Sequence, residues 1–310
     1  MKNPIPTLAL VFYFLSAQAQ VSNVLPMFGP GQKTDQQKEI DEEFIQTVLG
    51  QYGTSEAACE AHIDFAWRYL YNKDTETAMK RFNQAWLLES EYPDSYYGFS
   101  VLLRLNNNPE EADRFEKMAV NLDPSLERAK ECYRHAANCL EQYQIFEQVI
   151  YYYSKLIELS PNDAFNYKKR GYFYSKIGLK QETLADYDQA LALDPNDALM
   201  FNNRGYQHQL AQSYEKAIQD YSSAISIQAD HIGAHINRAL TYNQMGLNNE
   251  ALADLERCIE LDANHGPFYS LKGRILLDQG KNKQACQLFE KAISLGDTSI
   301  IDLFNTNCQK

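Results

Sequence analysis

The chain has 310 residues, 45% of them hydrophobic, and a formal charge of −12 from 29 Lys and Arg against 41 Asp and Glu. An acidic chain repels phosphate backbones and anionic bilayers, so no nucleic acid is expected as a partner. Past the N-terminus no apolar run approaches the roughly 18 residues a bilayer span requires, and no transmembrane span is expected.

Residues 1–19 carry Lys2, an apolar run from Ile5 to Leu15, and then Ala17, Gln18 and Ala19. That order predicts a signal peptide cleaved after Ala19 and an exported protein, periplasmic or secreted. No cysteine follows the cleavage site, so no lipid anchor is expected there. The stretch 20–55 opens as an irregular leader with Pro26, Gly29, Pro30 and Gly31. Gly31-Gln32-Lys33-Thr34 is no phosphate loop, since Gln32 separates Gly from Lys and no strand precedes it. Asp35 is then expected to cap a helix with Ile40, Phe44, Ile45, Val48 and Leu49 on its apolar face, ending near Gly50 or Gly53 and covering the open end of the first hairpin.

From 56 to 297 the apolar residues keep the helical period in paired runs split by polar turns. Hairpins are expected at 56–94, 95–126, 127–163, 164–197, 198–231, 232–265 and 266–297. The last four share a 34-residue register. One column reads Gly171, Gly205, Ala239, Gly273; others read Thr183, Ala217, Ala251, Ala285, then Tyr187, Tyr221, Leu255, Phe289, then Ala190, Ala224, Cys258, Ala292. Small residues let helix backbones approach, and the large column fills the space between hairpins. Earlier hairpins keep parts of the pattern: Ala78, Phe82 and Ala85; Ala112 and Ala119; Ala137 and Tyr153.

Period, columns and the closing Pro161 and Pro195 resemble the tetratricopeptide repeat (TPR), whose period is 34. The segment Ala78 to Leu87, with Trp67 before it, resembles the opening repeat of exported bacterial members. The resemblance implies an all-α, right-handed α-solenoid of about seven TPR helix hairpins with capping helices at both ends. The C-terminal cap, at 298–310, places Ile300, Ile301, Leu303 and Phe304 on the last apolar surface, because a terminal unit needs one polar outer face.

Arg170, Arg204 and Arg238 share one column, and Asp186, Asp220 and Asp254 share another sixteen residues later. Both columns stop together, at Lys272 with Leu288 and at Ala136 with Tyr152, so each Arg is expected to pair with its Asp inside the array. Cys286 and Cys308 flank the terminal helix and are candidates for a disulfide; Cys258 takes an alanine column and reads as core. His231 and His235 stand four apart, as zinc ligands do on a helix, but no third ligand is within reach, so no metal or other cofactor is expected. No nucleophile elbow or Cys-x-x-Cys pair supports catalysis.

In TPR arrays the first helices line the concave side, so the resemblance supplies a ligand groove. By column its candidates are Arg134, Lys168 and Asn202; Asn138, Tyr172 and Tyr206; and Lys169 and Asn203. Cations, amides and tyrosines together suit a protein or peptide partner bearing a carboxylate. The tail clamp of some relatives is not matched, since Lys169 stands where its second Asn belongs. A non-catalytic scaffold leads; a module for glycans or cell-wall fragments and an enzyme with a site between hairpins are the alternatives.

Overall fold

The computed structural model describes residues 25–28 and 33–308, so the expected signal peptide lies outside the described residues. Two compact units succeed one another along the chain, the first ending at Asn162 and the second beginning at Asp163.

In the first unit, α1 (Asp35–Tyr52) precedes three helix hairpins: α2 (Ser55–Tyr71) with α3 (Thr75–Leu88), α4 (Pro93–Leu105) with α5 (Pro109–Leu122), and α6 (Glu127–Gln142) with α7 (Phe146–Leu159). Thr34, one residue before Asp35, caps α1. Its hydroxyl accepts from the Gln37 amide at 3.3 Å while Gln37 Oε1 accepts from the Thr34 amide at 2.9 Å, a reciprocal box that leaves Asp35 in the first turn, where a negative charge suits the helix dipole. Pro93 and Pro109 open α4 and α5, where a missing amide costs nothing.

The second unit holds α8 (Ala164–Lys176) with α9 (Lys180–Leu193), α10 (Ala198–Leu210) with α11 (Tyr214–Ile227), α12 (Ile232–Gln244) with α13 (Asn248–Leu261), and α14 (Gly266–Asp278) with α15 (Asn282–Ser294). A short turn at Thr298–Ile300 leads into α16 (Ile301–Cys308). Every one of the seven hairpins turns through a single left-handed residue: Lys73, Asn107, Gln144, Gly178, Gln212, Gly246 and Gly280. Glycine takes that conformation freely; a side chain there costs about 1–2 kcal/mol.

Packing tracks the columns. A Cβ on Gly205 would lie 2.8 Å from the Tyr221 ring, and one on Gly171 would lie 2.7 Å from the Tyr187 ring, so absence of a side chain on the first helix is what seats the ring of the second. Thr183 stands among alanines because its hydroxyl donates back to Leu179 O at 2.8 Å and leaves no polar atom stranded. At the C-terminal end Ile300 is fully buried and Leu303 and Phe304 pack on the cluster of Leu276, Phe289 and Ala292. Asp297 starts this segment by accepting from the Ser299 amide at 3.0 Å, and the helix runs on to Cys308, whose sulfur is bonded to that of Cys286 across a Cα separation of 5.6 Å.

The first unit departs from the columns in its first two hairpins as well as at Ala136 and Tyr152. Where the later hairpins carry Arg and Asp, the second hairpin has Phe99 and Phe115, rings 5.5 Å apart and edge to face, and the first has Phe65 with Arg81, whose guanidinium sits 5.7 Å from the ring centroid. In the ring column of the second hairpin stands Glu116. This buried carboxylate accepts from Arg104 Nη2 at 3.0 Å, Tyr133 OH at 2.8 Å and Tyr151 OH at 2.9 Å; the Arg104 plane lies 4.3 Å over the Tyr151 ring. Three donors offset its desolvation. Among the described residues no helix is long and apolar enough to cross a membrane.

Candidate functional site

The charged columns form a ladder. Arg170 donates Nε and Nη2 to Asp186 at 2.8 and 2.8 Å, Arg204 donates to Asp220 at 2.9 and 2.6 Å, and Arg238 donates to Asp254 at 2.8 and 2.8 Å. Each is a two-point fork, the geometry a guanidinium offers a carboxylate. The three Asp side chains are buried, and bonding to them raises the pKa of each arginine. These charges hold the second unit together and are not open to a ligand.

On the side of α8 and α10 turned away from their partner helices, five apolar side chains stand exposed: Phe165, Tyr172, Leu199, Tyr206 and Leu210. Phe165 and Tyr172 are seven residues apart, as are Leu199 and Tyr206, with Leu210 four further on, so each set shares one helix face. Lys176 Nζ lies 5.0 Å from the Tyr172 ring centroid. Of the expected groove residues, Lys168 is engaged by Asp197 at 2.6 Å and Asn202 accepts from Asn237 Nδ2 at 3.0 Å, which ties α10 to α12. Lys169 lies 5.4 Å from the Phe173 ring, and Asn203 is half-buried beside it in register. Tyr172 and Tyr206 are therefore the groups presented; the cations and Asn202 serve the framework.

Arg134 and Asn138 belong to the first unit, exposed on α6. There the first helices close on each other: α2 and α6 are in contact, and α4, packed by both and by α3 and α5, is buried along nearly its whole length. The Trp67 and His135 rings stack at 5.4 Å and 16°, and Tyr143 OH donates to Leu70 O at 3.0 Å. Asn138 lines a cleft of about 540 Å³ between α2 and α6, with Arg68, Tyr71, Asn72 and Gln142. Arg134 lies outside that cleft, on a neighbouring shallow depression with Lys130 and Glu131.

The family model for the tetratricopeptide repeat matches residues 232–265 and 266–295, the hairpins α12/α13 and α14/α15. Those two hairpins are tetratricopeptide repeats. A comparison with curated proteins finds no match. Among solved structures, MamA 41-end from Desulfovibrio magneticus RS-1 is 17% identical with a TM-score of 0.51, over 55% of this chain and 97% of that one. A second MamA crystal structure is 22% identical with a TM-score of 0.51, over 54% of this chain and 91% of that one. Both likenesses are of fold.

In the second unit a second acceptor column escapes sequence reading. Arg204 Nη1 also donates to Asp188 at 2.7 Å, Arg238 Nη1 to Ser222 at 2.9 Å, and Lys272 to Glu256 at 3.0 Å, each acceptor sixteen residues before its donor on the preceding hairpin. Asp, Ser and Glu differ enough to hide the column, though all three accept. The TPR histidines are used locally: His231 Nδ1 accepts from the Ala234 amide at 3.1 Å, and His235 bonds Asp254 at 3.0 Å and Ala229 O at 3.2 Å. Burial lowers the pKa of His208, with nearby Asp220 opposing. No group of three His, Cys, Asp or Glu that could hold a metal occurs among the described residues. Burial pushes the thiols of Cys59, Cys139 and Cys258 up to about 12, and that of Cys132 well above its ordinary value, far from the thiolate a nucleophile needs.

Proposed function

We propose that this chain is a non-catalytic TPR adaptor that binds a protein or peptide partner along the exposed side of α8 and α10. One observation carries the reading: Phe165, Tyr172, Leu199, Tyr206 and Leu210 stand in water on two neighbouring first helices, whereas the same columns hold Gly233 and Leu240 on α12 and Pro267 and Arg274 on α14. Rigid rings with polar tips are the side chains that anchor interfaces, and an apolar patch beside the Asn203 amide matches an apolar segment whose backbone that amide can bond.

The N-terminal order of charge, apolar core and Ala-x-Ala supports export, with the partner met in the periplasm or outside the cell. The first test is capture from the native host with the wild type and with Tyr172→Glu/Tyr206→Glu. The double variant loses the partner while keeping its helical circular dichroism; equal recovery by both proteins ends the proposal. N-terminal sequencing of the native protein tests export, with Gln20 as the expected first residue.

A further inference from the structure

The cleft between α2 and α6 is a second, chemically different surface. We propose that it binds a neutral oligosaccharide. Its volume, about 540 Å³, lies within the range of small-ligand pockets, about 300–1,000 Å³. The walls are held from both sides before any ligand arrives, by the Trp67–His135 stack and by the Tyr143 to Leu70 bond, so little ordering remains to oppose binding.

What lines the cleft selects the ligand. Asn72, Asn138 and Gln142 each offer two donors and an acceptor in one plane, and none of the three makes a side-chain hydrogen bond with another described residue. A sugar hydroxyl both donates and accepts, so an amide can bond it in either sense. Tyr71, 47% exposed at the edge, presents a ring to the C–H face of a pyranose.

Two other ligand classes fit worse. A peptide partner needs apolar surface for an anchoring side chain, and here the apolar Trp67 and Cys139 are only 4% and 2% exposed. An anionic ligand meets Asp64 and Glu141 against a single Arg68, a local balance of the wrong sign. This site shares no residue with the patch on α8 and α10, so either proposal can fail alone.

The chain has two tryptophans, and Trp67 lies in the cleft wall, so Trp86→Phe makes its emission a reporter. Cellohexaose, maltohexaose and chitohexaose are titrated into this variant by fluorescence and into the wild type by calorimetry. At least one is expected to shift Trp67 emission and to give a calorimetric isotherm. Asn72→Ala and Asn138→Ala, at exposed positions where the fold is not at stake, each weaken that binding about fivefold, the worth of one hydrogen bond. No response to any of the three sugars at millimolar concentration overturns the proposal. So does binding that the Asn72→Ala/Asn138→Ala double variant leaves unchanged, or a stronger response to spermidine or to an acidic galacturonate hexamer than to every neutral sugar.

Discussion

Tyr133 donates its hydroxyl to Glu116 at 2.8 Å, at the position on α5 where most other hairpins place a ring. The same carboxylate holds Arg104, which is itself buried. Replacing Glu116 by Ala leaves Arg104 to Asp113 and Tyr151 and takes the acceptor from the buried Tyr133 hydroxyl, and unfolding by denaturant should show a loss of about 1–3 kcal/mol. Glu116→Gln keeps an acceptor and should lose less. Equal effects of the two substitutions would count against the lost acceptor as the cause.

Asp220 and Asp188 both bond Arg204, but Asp220 is buried and the Asp188 side chain is 64% exposed. Asp220→Ala should therefore cost about 3–5 kcal/mol, and Asp188→Ala no more than about 1 kcal/mol. Chemical denaturation of the two variants side by side distinguishes them.

Gly205→Ala should destabilise by about 1–3 kcal/mol although alanine is the better helix former, because its Cβ would meet the Tyr221 ring at 2.8 Å. The third row already pairs Ala239 with Leu255. Adding Tyr221→Leu to Gly205→Ala should thus recover part of the loss, and a double-mutant cycle with no coupling would refute the steric account.

Loss of the Cys286–Cys308 bond, which spans 22 residues, should free α16 and remove about 3 kcal/mol. Amide exchange in Cys308→Ser should accelerate in α16 and leave α8 to α13 unchanged.

Burial, and then the charge of Arg81, hold His62 at about 4, below its ordinary 6.5. Between those values the unfolded chain binds a proton that the folded one refuses, so the contribution is present above 6.5 and is lost as pH falls through 4, at most about 3 kcal/mol. Asp94, raised by burial to about 7, has the opposite sign in much of that range, favouring the fold as pH falls. The comparison is therefore with His62→Gln, whose acid limb should be shallower than the wild type's by up to that amount. Parallel limbs would rule out His62.

Much of the second unit is legible in sequence because its 34-residue register repeats without insertion, and the sixteen-residue offset between Arg and Asp is kept with it. The first unit is less so. Its extra residues shift the columns, and its main feature, α2 lying against α6, joins Trp67 to His135 across 68 positions that no local pattern links. Glu116 is in the ring column, yet a lone carboxylate there says nothing until Tyr133 and Tyr151 are seen around it. In the groove stripe, column position alone could not separate Lys168 and Asn202, already bonded, from Tyr172 and Tyr206, which are not buried by a neighbour.

The two-sided bonding of Arg204, to its own hairpin and to the one before, makes the joint between modules interchangeable. Excision of residues 198–231 would bring Arg238 to Asp188 in place of Ser222, and Asp197 to the N-cap now held by His231. The seam so made is already present elsewhere in the chain. Length is thereby a quantity that recombination can alter in whole steps, with each new end inheriting ready-made partners.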